Sequence, residues 1–278
     1  MYNALFSSDS GRKFRFGYEY GNIFDIDPLS GISADISTSQ GFQQTGETVE
    51  NTSTGGIERQ IVGKLIRNIN EQKHDMLKAF APGLFGTLYF NDRYSCRCVV
   101  KQSPQFGEGK SKETFVLTLF CPNSYWMSAE GKSYILGGYA PAFRFPVNYA
   151  TPHRFGTKNP TAFINCVNDG AVSVDFTARF TADAPVENYG IMNAVTFKYI
   201  KIFDNLNIGD ETVVYRKNGR LIVEKNGEDI FSLLDEDSNL FSVNAGDNPL
   251  KATADSGDEN LIVSVSFFEP YSGVYDGM

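Results

Sequence analysis

The chain has 278 residues, of which 41% are hydrophobic and 21% charged, and its formal net charge is −8 at pH 7. This composition is that of a globular protein long enough for two domains, and it excludes disordered and fibrous classes. Because nucleic acids and anionic membranes are recognised by clustered Lys and Arg, the acidic balance argues against both as partners.

The residue types favour strands over helices. The chain contains Phe 23 times and Tyr 14 times, and flat rings pack well on pleated, half-buried surfaces. Neither a signal peptide nor an apolar run of about 18 residues is found, so we expect a protein made in the cytoplasm without a membrane span. Without a framework spacing, the four cysteines are expected to be reduced: Cys96, Cys98, Cys121 and Cys166.

The first predicted strands cover residues 4–6 and 13–16 and flank a polar turn, which is typical of a hairpin. Residues 38–56 are different, because they are almost all polar and include only Phe42 and Val49 as large apolar groups. This segment buries too little to offset its own ordering entropy. It is either a mobile loop or an arm that becomes ordered against a neighbouring subunit.

The only predicted helix follows a strand at residues 57–67, in which Gly63 is a possible bulge. Asn70 is the expected helix cap, and Met76, Leu77 and Phe80 form one apolar stripe. We expect Leu77 to pack on the sheet of the first domain. Further strands are predicted at residues 87–90, 96–101 and 113–120, with a loop at 104–112.

The second half of the chain reads as a β-sandwich. Residues 172–180 and 261–267 alternate apolar and polar side chains, which is typical of strands with one wet face. Asn218-Gly219 and Asn226-Gly227 predict type I′ hairpin turns, because Asn and Gly tolerate positive φ. Many short strands favour a sandwich. We place the domain boundary near Ser128, which gives domains of residues 1–128 and 129–278.

No constellation of residues favours catalysis or a cofactor. Cys96 and Cys98 share a strand face, but a zinc site needs four ligands. His74 and His153 lack the pattern of a general base, and the acidic run at residues 235–237 lacks the order of a calcium loop and is expected to be solvated. Trp126 is expected to be a core anchor. The chain is therefore predicted not to be an enzyme and to need no cofactor or metal.

A succession of short segments carries a family resemblance. The first half contains Leu29-Ser30-Gly31-Ile32, then Gly86-Thr87-Leu88-Tyr89-Phe90, then Cys121-Pro122-Asn123-Ser124-Tyr125-Trp126. The second half contains Asn159-Pro160-Thr161, the two Asn-Gly pairs and a segment at residues 240–248. In this order they resemble the distal tail (Dit) proteins of siphophages that infect Gram-positive hosts.

The resemblance implies a hexameric hub at the tail tip of a phage or prophage, made in the host cytoplasm. Its N-terminal domain would be a β-sandwich or barrel-like ring former with one helix, and its C-terminal domain a galectin-like β-sandwich for docking. The implied partners are further copies of the chain, the tail tube protein, a tail-associated (Tal-like) protein and receptor-binding or baseplate proteins. The expected subunit-interface residues lie on the polar arm: Phe42, Gln43, Gln44 and Val49.

Two other classes of function stay open. A carbohydrate-binding, lectin-like module requires an exposed aromatic side chain in a groove, and the second domain contains no Trp. A glycoside hydrolase requires two opposed carboxylates, which 33 acidic residues do not by themselves indicate.

Overall fold

The computed structural model describes residues 2–108, 113–137, 139–141, 156–158, 163–217, 219–239 and 241–274. His153 and Asn218, both considered in the sequence analysis, lie outside these residues. The chain divides into two compact units, one of residues 2–130 with 270–274 and one of Gly131–Glu269. Residues 270–274, assigned from the sequence to the second domain, thus fall within the first unit. Both units are built mainly from strands, as predicted.

The first unit consists of one large sheet, a separate sheet of two strands and a helix. Its strands are β1 Ala4–Ser8, β2 Lys13–Phe16, β3 Asn22–Asp27, β4 Asp35–Ser39, β5 Thr48–Ser53, β6 Ile57–Leu65, β7 Phe85–Phe90, β8 Tyr94–Phe106, β9 Thr114–Cys121, β10 Trp126–Ser128 and, from the end of the chain, β23 Pro270–Tyr271. The main sheet has the order β2-β1-β7-β8-β9-β6-β3, and β10 pairs with both β8 and β23, while β4 and β5 form the separate sheet.

The two ends of this sheet are joined by a buried side chain. Asn22 accepts a hydrogen bond from Gly17 N–H at 2.9 Å and donates one to Arg15 O at 3.2 Å. Through these contacts the Asn22 side chain bridges β2 and β3, which are the first and last strands in the order of the sheet. The large side chains in the core of this unit include Phe6, Phe16, Phe80, Phe115, Ile61 and Leu65.

Two predictions for the strands of the first unit are wrong. Pairing of β6 with β3 and β9 continues through Gly63 without a bulge. Gly63 is needed for close packing, because a Cβ there would lie 2.3 Å from Ile23 O and 2.5 Å from the Phe115 ring. The predicted loop beginning at Pro104 is also wrong, since β8 continues to Phe106. Irregular register with β9 accommodates the proline.

The helix, α1 Ile69–Ala79, begins earlier than predicted. Asn68 precedes it in a left-handed conformation with φ 46°, and Gln72 N–H donates to Asn68 O at 2.9 Å. This i to i+4 hydrogen bond closes the first turn, so Asn70 lies inside the helix and is not its cap.

Two of the three residues predicted for the apolar stripe of α1 are buried, and the third is not. Met76 and Phe80 are fully buried, whereas Leu77 is 52% exposed. Successive residues turn by about 100° around a helix, so positions 76 and 80 share a face and position 77 points away from it. The expectation that Leu77 packs on the sheet is therefore wrong, and Met76 occupies that place.

The second unit is a β-sandwich. Its strands are β11 Lys132–Leu136, β12 Tyr139–Pro141, β13 Gly156–Lys158, β14 Phe163–Asn168, β15 Thr177–Ala182, β16 Val186–Asn193, β17 Tyr199–Leu206, β18 Thr212–Lys217, β19 Arg220–Lys225, β20 Glu228–Asp229, β21 Gly246–Thr253 and β22 Leu261–Phe267. One sheet has the order β11-β22-β15-β18-β19-β20 and the other β14-β21-β16-β17, while β12 and β13 form a pair. Side chains of both larger sheets share one core.

Sequence periodicity identified the best-defined strands of this unit. β22 alternates buried and half-buried residues along its whole length, as predicted. The strand predicted at residues 172–180 is shorter, because β15 begins at Thr177 and Val174 makes only an isolated bridge to Val243. Asn226 and Gly227 have φ values of 52° and 85°, which confirms the positive-φ turn between β19 and β20.

Candidate assembly site

The polar segment forms a regular element rather than an irregular loop. Strands β4 and β5 pair with each other from Asp35↔Ser53 to Ser39↔Thr48, and this hairpin, residues 35–53, is here called the arm. It is a sheet of two strands, and every residue of both strands is exposed. The mobile-loop alternative did not predict this pairing.

The side chain of Gln44 holds the tip of the arm together. Its oxygen accepts a hydrogen bond from Gly41 N–H at 2.9 Å, and its nitrogen donates to Thr48 Oγ1 at 2.8 Å. Gln43 beside it adopts a left-handed φ of 62°. Phe42 is 97% exposed. Of the residues predicted for the interface, Gln43 and Gln44 therefore shape the tip, and Phe42 is presented by it.

The strands of the arm also display apolar groups. Val49, predicted from the sequence, is 58% exposed and lies opposite Thr38, while Ile36, which the sequence analysis missed, is 60% exposed. Ile36 could have been found from the sequence, because it is an apolar residue just before the polar segment of residues 38–56. An isolated two-stranded hairpin is only marginally stable in water. Packing of another surface against the arm would therefore stabilise it.

The arm is purely acidic. Between positions 35 and 53 it contains three carboxylates, on Asp35, Glu47 and Glu50, and neither Lys nor Arg. A surface that covered it would have to compensate three negative charges as well as bury its apolar groups.

A buried Arg–Trp pair anchors the chain that leads into the arm. The Arg59 guanidinium lies 4.3 Å from the ring centre of Trp126 and donates to Ser124 O at 2.8 Å and to Pro28 O. Trp126 Nε1–H donates to Leu29 O at 3.1 Å. Trp126 is fully buried, as its core-anchor interpretation predicted. Arg59 was missed, because arginine is usually exposed.

The four cysteines are buried, as expected for small hydrophobic residues. Cys96 Sγ lies 3.7 Å from Cys121 Sγ. Their hydrogen bond and burial raise the pKa of Cys96 well above its ordinary value, so its thiol stays protonated. In the described residues no group of three or more His, Cys, Asp or Glu is placed to hold a metal ion.

The second unit contains an open cleft of about 690 Å³ between β19 and a 3-10 turn at Phe231–Leu233. Its volume lies in the range of small-ligand sites. Leu221 and Leu234 pack against the core, and Phe231 is half-exposed. The acidic run reaches its rim, where Asp235 accepts a hydrogen bond from Tyr199 OH at 3.1 Å. Its charged lining residues are Arg220, Asp235 and Glu236.

Comparison with known proteins agrees with this architecture. Residues 169–271 match the family model of the siphovirus-type tail component, C-terminal domain. No curated protein sequence matches the chain. Among solved structures, the Dit protein of phage SPP1, described as a paradigm of the hub adsorption apparatus in phages that infect Gram-positive bacteria, is similar with a TM-score of 0.67 and 13% identity, covering 95% of this chain and 98% of that one.

A second solved structure, a chain of the phage P2 baseplate in its activated conformation with Ca, is similar with a TM-score of 0.53 and 10% identity over 99% of this chain and 100% of that one. Within the described part of the chain, no helix is long and apolar enough to cross a membrane. The chain therefore shares the fold of the SPP1 Dit protein, and its residues 169–271 match the family model of the siphovirus-type tail component, C-terminal domain.

Proposed function

We propose that this chain forms a homo-hexameric ring at the tail tip of a phage or prophage and joins the tail tube to the baseplate. The observation that carries the proposal is the likeness in fold to the SPP1 Dit protein over 95% of the chain. The exposed arm supports it, because a hairpin without its own core requires a neighbouring surface.

The two domains divide this task. Residues 1–128 form the ring through the arm, with Phe42, Gln43, Gln44 and Val49 at the subunit interface. Residues 129–278 dock the proteins around the ring: a tail-associated (Tal-like) protein and receptor-binding or baseplate proteins. The chain acts by assembly and without catalysis or a cofactor, and it is made in the host cytoplasm before it joins the virion.

Particle mass tests the ring. Light scattering of the full chain over a range of concentrations is expected to show a particle of six copies. Deletion of residues 40–51 removes the tip of the arm and is expected to give a monomer with an unchanged far-UV circular dichroism spectrum. As a matched control, Gly-Ser replacement of residues 195–197, an exposed apolar turn of the second unit, should leave the ring intact.

Two results would contradict the proposal. A wild-type chain that stays monomeric at every concentration would contradict the proposed ring. A deletion variant with the wild-type mass keeps the ring but removes the arm from its interface.

A carbohydrate-binding module is the second candidate, and the cleft of the second unit favours it. Phe231 lies half-exposed among carboxylates and Arg220, a combination of apolar plate and polar groups that sugars can use. Because the second unit has no Trp, we expect the full chain to show no saturable binding on a bacterial glycan array. Micromolar binding that disappears in Phe231→Ala would make this candidate the first.

A further inference from the structure

The first unit has an exposed surface on which arginines and aromatic rings alternate. It surrounds the 3-10 turn Tyr18–Tyr20 at the start of β3 and is here called the tyrosine–arginine face. Ile66 and Arg67 adjoin the turn, since their N–H groups donate to Gly21 O at 2.8 and 3.1 Å. Its exposed members are Tyr2, Arg15, Tyr18, Tyr20, Ile23, Ile66 and Arg67.

The two arginines of this face are held by tyrosines. Arg15 Nη1 donates to Tyr20 OH at 3.0 Å, and the Arg67 guanidinium lies 5.5 Å from the Tyr18 ring centre. Within the described residues neither forms an ion pair with a carboxylate. The charges of Glu19, in the same turn, and of Asp92 act on Arg15 from a distance. Both guanidinium groups are positioned at the surface, where an acidic partner can reach them.

Apolar recesses open on both sides of Ile23, which is 47% exposed. One of about 140 Å³ is lined by Tyr2, Tyr18 and Phe24. The other, of about 290 Å³, lies over the paired strands β3 and β6, where Asp25, Val62 and Lys64 also line it. Both recesses have Ile23 and Phe24 of β3 in their lining, so they adjoin each other on that strand.

The arm and this face are complementary in charge and in shape. The arm carries carboxylates without any basic residue and presents Phe42 to solvent. The face carries the guanidinium groups of Arg15 and Arg67 around its recesses, together with the exposed carboxylates of Glu19 and Asp25. Each would bury what the other leaves exposed. Since the arm and the face are different surfaces, a contact between them is heterologous, the kind that generates rings when the rotation closes.

We propose that the tyrosine–arginine face receives the arm of a second copy of this chain, with Phe42 in the recesses beside Ile23 and the arm carboxylates opposite Arg15 and Arg67. This inference rests on the proposed ring and adds the receiving surface to it. The aromatic anchor supplies most of the affinity, and the charges set orientation and make association sensitive to salt.

Substitutions on either side test the contact, with sedimentation velocity of the full chain as the measurement. Phe42→Ala is expected to weaken association about 30-fold or more, as for an interface hot spot. The double variant R15E/R67E should weaken it similarly, and Tyr18→Ala provides a second, uncharged change on the face. Matched controls at exposed residues of the second unit, Phe197→Ala and Arg220→Glu, should associate like wild type.

A mixing experiment then distinguishes this contact from any other. A chain lacking residues 40–51 keeps the face, and R15E/R67E keeps the arm, so each alone should be monomeric. Mixed, they can make one junction only and should give one-to-one dimers without rings. Combining R15E/R67E with E47R/E50R in one chain should restore the ring by exchanging the charges.

The outcomes separate the two proposals. If wild type assembles and arm deletion abolishes assembly, but R15E/R67E and Tyr18→Ala assemble normally, the ring stands and another surface receives the arm. A mixture that stays monomeric contradicts the contact as well. If wild type never assembles, the proposed function fails and this inference fails with it.

Discussion

The arm in the first unit and the β18–β19–β20 meander in the second unit are built alike and differ in what lies behind them. Both are antiparallel hairpins with a glycine in the left-handed region, Gly46 at φ 84° and Gly227 at φ 85°. The meander buries Val214 and Val223 in a core shared by two sheets. The arm buries nothing on either strand.

This difference separates the formation of a hairpin from its stability. Turn residues and β-branched side chains are sufficient to favour the hairpin conformation in both regions. Burial of apolar surface then ties the meander to the cooperative unfolding of its domain. Because the arm lacks that coupling, we expect its sequence to affect assembly and the meander's sequence to affect folding.

The largest expected contrast is between two phenylalanines. Phe180 is fully buried in β15, next to β18, and Phe180→Ala is expected to lower the free energy of unfolding by about 3–5 kcal/mol. Phe42→Ala should leave it unchanged within about 0.5 kcal/mol. Denaturant titration at a concentration where the chain is monomeric measures both. A large loss for Phe42→Ala would mean that the arm packs on its own chain.

The two turn glycines, Gly46 and Gly227, provide a sharper comparison, because both have open space around the position of a Cβ. Neither Gly46 nor Gly227 has an atom within 4 Å of an added Cβ, so alanine introduces backbone strain alone. Gly227→Ala is expected to destabilise the second unit by about 1–2 kcal/mol. Gly46→Ala should loosen only the arm. Hydrogen exchange of β19 amides, followed by mass spectrometry, should accelerate in the first variant and not in the second.

The smallest expected effect is a pH dependence of stability that arises at Asp210, next to the turn of the meander at Asn226. The Asn226 side chain and the Asn207 backbone N–H hold the pKa of Asp210 at about 2, below its ordinary 3.8. A carboxyl group whose pKa is lower in the folded than in the unfolded chain stabilises the fold at pH values above its unfolded pKa. This stability is lost as pH falls from about 4 towards 2. In Asp210→Asn, the melting temperature should change less with pH between about pH 4 and pH 2 than it does in the wild type. An unchanged pH profile in that variant would contradict the assignment.

Much of the second unit could be predicted from the sequence, since its signals are local. The alternation from Leu261 to Phe267 was confirmed, because one face of that strand meets a core and the other does not. Asn226-Gly227 was confirmed, because its backbone preference belongs to the two residues themselves. The apolar and polar composition of the arm also marked it as an element without a core.

Several features of the first unit could not be predicted in this way. Periodicity could not choose between Met76 and Leu77 as the buried residue, because the choice depends on how α1 is rotated against the sheet. Gly63 owes its place to the Phe115 ring and to a carbonyl of β3, which are distant in sequence. The burial of Arg59 depends on carbonyl groups and a Trp ring that only the folded chain assembles.

The sequence by itself thus determined the mainly β class, the turn and strand signals of the sandwich and the acidic, coreless character of the arm. These follow from local conformational preference and from the balance of apolar and charged groups. The tertiary structure alone decided that the arm is a paired hairpin and that two arginines adjoin the recesses beside Ile23. Such proximity is set by long-range strand pairing, which brings together residues whose spacing along the chain carries no sign of it.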